Sequence, residues 1–125
     1  MKIDIQALDF DLTDALLSYT RDRINYLLSS RFDQIQGITV RLGDVNGPRG
    51  GVDKSCKVSI SLPRLKEVVI EDIQADLYVA ISRAMDRASR TVNRRLTRLQ
   101  DRKKRLYVPR DYTHESLIEN RYVYS

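Results

Sequence analysis

The chain has 125 residues, 42% of them hydrophobic, which suits one compact domain and is too apolar for a disordered segment. No run approaches the roughly 20 apolar residues of a membrane-spanning helix, and the single cysteine, Cys56, excludes an internal disulfide. With 22 basic and 17 acidic residues the net charge is +5, too modest a total to name a partner.

The first segment, Lys2 to Leu8, alternates apolar and polar residues and predicts a half-buried strand. Thr13 can cap a helix whose first turn carries Asp14, the favourable charge for that end of the dipole. That helix is predicted over about Asp14 to Ser30, with Leu17, Ile24, Leu27 and Leu28 on one face. Ile38 to Leu42 gives a second strand. Residues 44 to 54 include Asn46-Gly47-Pro48-Arg49-Gly50-Gly51 and predict a long hairpin loop. Ser55 to Leu62 alternates most cleanly, with Cys56, Val58, Ile60 and Leu62 on one side, and Pro63 ends it. Val68-Val69-Ile70 predicts a fourth strand.

From Asp76 to about Arg105 the period becomes helical. Leu77, Ile81, Ala84, Met85, Ala88, Val92, Leu96 and Leu99 fall within about 60° of one helical face. Leu106 to Ser125 has no period and reads as a tail, leaving 1–105 as the folded domain. The order β-α-β-β-β-α predicts a two-layer α+β domain: a four-stranded sheet, strands one and two parallel, with both helices on one face.

Charge is unevenly distributed. Residues 77–105 carry eight Arg and two Lys against only Asp86 and Asp101, a net of +8, so the rest of the chain sums to −3. Arg83, Arg87, Arg90, Arg94 and Arg98 form a stripe roughly 80° wide, away from the apolar face. Asp86, Asn93 and Thr97 occupy the neighbouring polar strip, and Arg95 falls near the apolar edge, where its stem can lie along it. A merely solvated face usually mixes signs at i,i+4, so that neighbours attract. Like charges at that spacing repel instead, which points to an anionic partner, RNA or DNA. Arginine suits that partner, because its planar guanidinium forks onto phosphate and stacks on bases.

Several stretches resemble the ribosome hibernation-promoting factor family, also called ribosome-associated translation inhibitors or Y protein. Asp76-Leu77-Tyr78-Val79-Ala80-Ile81 is similar to that family's Asp-Met-Tyr-x-Ala-Ile opening of the second helix. Arg87, Arg90, Arg94 and Arg98 recur as its basic residues do. Leu12-Thr13-Asp14-Ala15-Leu16 resembles its first-helix start, and Phe32-Asp33-Gln34-Ile35 its entry into strand two. The resemblance covers about residues 1–105, and the family's fold is the order derived above. The insert at residues 44–54 is longer than in its short members, and the tail is too short for the dimerising domain of its long ones. Met1 to Gln6 lacks the apolar run of a secretory signal peptide, which predicts a cytoplasmic address. The resemblance implies a factor that occupies the decoding region of the small ribosomal subunit under stress and excludes tRNA and mRNA. The residues expected on rRNA are Arg83, Arg87, Arg90, Arg94, Arg95, Arg98, Arg102, Lys103 and Lys104, with Arg49 and Lys54 as secondary contacts. A monomer off the ribosome is expected, with no membrane and no small-molecule substrate.

Other features are weaker. Gly47 to Ser55 superficially resembles a phosphate-binding loop, but Asp53 stands where a glycine is needed before Lys54-Ser55, and a strand follows instead of a helix. Cys56 reads as a small core residue. His114, the only histidine, has no partners at metal-ligand spacing, so no metal or cofactor is expected. No nucleophile–base pair suggests an enzyme. Tyr107, Tyr112, Tyr122 and Tyr124 interleave with Arg110 and Arg121 in the tail, where base stacking competes with a disordered or locally packed tail, the reading the composition favours. Two further functions compete with a translation inhibitor: modulation of a sigma factor, a role the family's name has carried, and general binding of double-stranded RNA.

Overall fold

In the computed structural model the alternation of each strand decides which of its side chains meet the helices. Residues 1–8, 10–44 and 53–106 are described, with side chains to residue 102. The elements are β1 (Lys2–Ala7), α1 (Asp14–Leu28), a 3-10 helix (Ser29–Gln34), β2 (Gly37–Asp44), β3 (Lys54–Ser61), β4 (Val68–Gln74) and α2 (Leu77–Leu106). The sheet order is β1-β2-β3-β4, with β1 parallel to β2 and the other pairs antiparallel. This is the expected α+β architecture.

Register builds the core row by row. Val40 pairs with Val58, and Val58 with Ile70; Ile38 pairs with Ile60, and Ile60 with Val68. Except for the half-buried Ile70 these side chains are buried, as are Leu42 and Cys56. The opposite face carries Thr39, Arg41, Lys57, Ser59 and Glu71, all half-buried or exposed. Burying one Leu, Ile or Val side chain contributes about 1.5–3 kcal/mol, which fixes register, because a one-residue slip would turn every strand inside out.

Thr13 caps α1 as its sequence predicts. Its hydroxyl accepts from Leu16 N at 3.1 Å, and its carbonyl from Leu17 N at 3.0 Å. The buried face of α1 is Leu16, Thr20, Ile24 and Leu28, shifted from the expected one, with Leu17 and Leu27 only half-buried. Thr20 can stand in that row because its hydroxyl donates to Leu16 O at 2.8 Å, so no polar group is left unsatisfied. The α-helix also ends two residues early, tightening into the 3-10 helix from Ser29. At the start of α2, Asp76 Oδ1 accepts from Tyr78 N at 2.8 Å, as an N-cap should.

The described residues divide into two units, one spanning Met1–Val92 and one that begins at Asn93. The first holds the sheet, α1 and the opening turns of α2, whose Ala80, Ile81, Ala84, Met85, Ala88 and Val92 are buried. The second holds the rest of α2, where Leu96 is buried and Leu99 half-buried. The expected tail, 106–125, lies outside the described residues apart from Leu106, the last residue of α2.

Candidate nucleic-acid interface

Within the first unit α2 has two polar flanks, and each is tied to a different neighbour. The flank facing α1 carries Tyr78, Ser82 and Asp86. Tyr19 packs edge-on against Tyr78, with ring centroids 5.0 Å apart, and its hydroxyl hydrogen-bonds Ser82. Arg23 Nη2 donates to Asp86 Oδ1 at 2.9 Å, and its guanidinium also lies 5.8 Å from the ring of the exposed Tyr26. Asp86, expected on a free polar strip, is therefore half of a bridge between the helices.

The other flank meets the sheet edge. Arg83 Nε and Arg87 Nη1 lie 3.6 and 3.4 Å from Asp72 Oδ2, and Arg87 Nη1 also donates to Glu71 O at 3.2 Å. Both arginine side chains remain more than half exposed, while that of Asp72 is 7% exposed. The stripe is thus not uniform: its first two members are anchored to β4. Between the flanks stands Arg90, exposed and without an ion-pair partner among the described residues.

The second unit continues the pattern. Arg94, Arg98 and Arg102 are exposed, again with no ion pair among the described residues, and Arg95 is half-buried, as its place near the apolar edge requires. The side chains of Lys103 and Lys104, and Arg49 with its loop, lie outside the described residues. Lys54, a candidate secondary contact, sits between two carboxylates at the base of the β2–β3 connection. Its Nζ is 2.7 Å from Asp44 Oδ2 and 3.8 Å from Asp53 Oδ1, and the hydrogen bond to Asp44 raises its pKa.

Asp72 was not legible as part of this surface, although it follows Val68 and Ile70 at the period that marks the inner face. Stopping the strand at Ile70 hides it. Next to it in register, Cys56 is fully buried, and burial together with the Asp72 charge pushes its thiol up to about 12. A thiol held protonated is a packing group, not a nucleophile. Among the described residues no three His, Cys, Asp or Glu side chains gather to hold a metal, and no helix is long and apolar enough to cross a membrane.

Residues 3–100 match the family described as sigma 54 modulation protein / S30EA ribosomal protein. The chain belongs to this family. The resemblance carried by the opening of α2 is borne out. Among solved structures, a ribosomal subunit interface protein from Coxiella burnetii shares the fold, with a TM-score of 0.65 at 17% identity, covering 76% of this chain and 97% of that one. The N-terminal domain of Protein Y from Thermus thermophilus is similar at 28% identity and a TM-score of 0.62, covering 75% of this chain and 98% of that one. No curated relative matches the chain.

Proposed function

We propose that this family member is a ribosome hibernation factor: it binds small-subunit rRNA near the decoding region and inhibits translation under stress by excluding tRNA and mRNA. One observation carries the reading. Arg90, Arg94, Arg98 and Arg102 recur along α2, exposed and without acidic partners among the described residues, where an ordinary solvated face would mix signs. RNA phosphates would relieve that repulsion, and the contacts would be positioning ones, made to backbone more than to base edges. The neighbour from Coxiella burnetii is named for the ribosomal subunit interface, which supports the choice of partner.

Cosedimentation with purified small and large subunits tests this. The protein is expected to pellet with the small subunit and to lower the yield of a cell-free translation reaction. Pelleting with neither subunit while binding an isolated sigma factor would favour the other half of the family's description.

A further inference from the structure

β4 places a carboxylate where its alternation calls for an apolar side chain. Val68 and Ile70 turn toward the helices, and Asp72 follows at the same spacing, 8% exposed and opposite the buried Cys56. Burying an ionised carboxylate is unfavourable unless charged partners and hydrogen bonds offset it. Gln74 Nε2 donates to Oδ1 at 2.6 Å, while Arg83 and Arg87 converge on Oδ2. Arg87 is steadied further by its bond to Glu71 O.

Two guanidiniums one helical turn apart therefore share a single oxygen. Arg83 approaches through Nε and Arg87 through Nη1, so both Nη groups of Arg83 and Nη2 of Arg87 keep their donors for another acceptor. The charges leave a remainder: two cations and one anion sum to one positive charge. That matches the one negative charge of a phosphodiester.

Resting on the ribosome-binding reading above, we propose that Asp72 is a positioning residue, holding Arg83 and Arg87 as a clamp for one RNA backbone phosphate. Free arginines lose rotamer freedom when they bind, whereas side chains already held lose less. Charge alone gives the opposite sign. If only net charge mattered, removing Asp72 would strengthen binding to a polyanion.

The opposed signs define the experiment. Asp72→Asn keeps shape and removes one negative charge; its affinity for purified small ribosomal subunits is measured across a salt series beside wild type, with a thermal melt of each. The clamp account expects binding about tenfold weaker, with a log–log salt slope shallower by about 1. A second variant, Arg83→Lys with Arg87→Lys, preserves charge at two exposed positions but removes the planar forks. It is expected to bind about tenfold more weakly, and adding Asp72→Asn to it should cost little more, since the three groups act as one unit. A folded Asp72→Asn protein that binds as well as wild type or better overturns the clamp. Should that variant melt early, the lysine variant decides: unchanged affinity overturns the clamp, and the expected loss supports it. Wild-type protein that fails to bind small subunits overturns the ribosome reading itself, a result separate from either of these.

Discussion

The two helices handle charge in opposite ways. α1 carries Asp14 and Asp22 against Arg21 and Arg23, a net of zero, and Arg23 is engaged with Asp86. α2 concentrates basic residues, and its two flanks are tied to different neighbours: its Asp86 to Arg23 of α1, and its Arg83 and Arg87 to Asp72 of β4. The contrast teaches that the arginines of α2 have two roles. Arg83 and Arg87 on the flank are tied to the sheet edge while keeping further donors exposed, whereas Arg90, Arg94, Arg98 and Arg102 are exposed with no ion pair among the described residues.

The largest expected effect lies in that second group. Arg90, Arg94 and Arg98 replaced together by Glu should weaken small-subunit association by about a hundredfold or more, since each change removes a phosphate contact and adds repulsion. Stability should hold or rise slightly as like charges at i,i+4 are relieved. Reversing the exposed Arg21 on α1 is the comparison, and it should change binding by no more than about threefold at physiological salt, where a distant charge is screened. Cosedimentation beside circular dichroism melting checks both. Equal losses from the two helices would erase the contrast drawn here.

The next effect falls on folding. Arg87→Glu sets a carboxylate against the buried Asp72 and removes the donor to Glu71 O, so it should destabilise by roughly 1–3 kcal/mol. For a domain this size that is a drop of several degrees in Tm. The same reversal at Arg90, three residues on, should leave Tm nearly unchanged. Equal melting of the two variants would show that the flank does not anchor the helix.

Smaller still is Asp86→Ala. It breaks the bridge to Arg23, and because both side chains are partly solvent-exposed the loss should be up to about 1 kcal/mol. A double-mutant cycle with Arg23→Ala isolates the pair term; a coupling indistinguishable from zero would mean that the bridge contributes nothing to holding the helices together.

A last effect is one of pH. The Cys56 thiol is raised from 9.0 to about 12, chiefly by burial and then by Asp72. A raised acid adds stability below its unfolded-state value, and that stability is lost as pH climbs through the folded-state value, the window from 9 to about 12. Wild type should therefore lose stability relative to Cys56→Ala by up to about 1.4 kcal/mol per pH unit within that window. Denaturant midpoints of both proteins at pH 8 and pH 10 decide; a constant difference between them contradicts the shift.

Sequence and structure agree where a residue's fate depends on its own element. The alternation of β3 sorted Cys56, Val58, Ile60 and Leu62 to the core, and the spacing of α2 sorted Ile81, Met85, Ala88 and Val92 there too. They part where it depends on a distant one. Thr20 joins the buried face of α1 because a carbonyl one turn back accepts its hydroxyl's hydrogen bond, while counting apolar side chains selects Leu17 and Leu27 instead. Asp86 looks like a solvated strip residue until Arg23, 63 positions earlier, is brought beside it. Asp72 looks like the polar end of a short strand until α2 lays two arginines over it. For the candidate site this means that the exposed row was visible as a periodic signal, while the tie of Arg83 and Arg87 to Asp72 required the fold.

Salt dependence of binding tests the central claim most directly. If the available arginines of α2 meet RNA phosphates, each contact releases condensed counterions, and log affinity for purified small subunits should fall against log salt with a slope on the order of −3 to −6. The Arg90, Arg94 and Arg98 reversal should flatten that slope. A wild-type slope near zero, with full affinity retained at high salt, would contradict phosphate recognition by this helix.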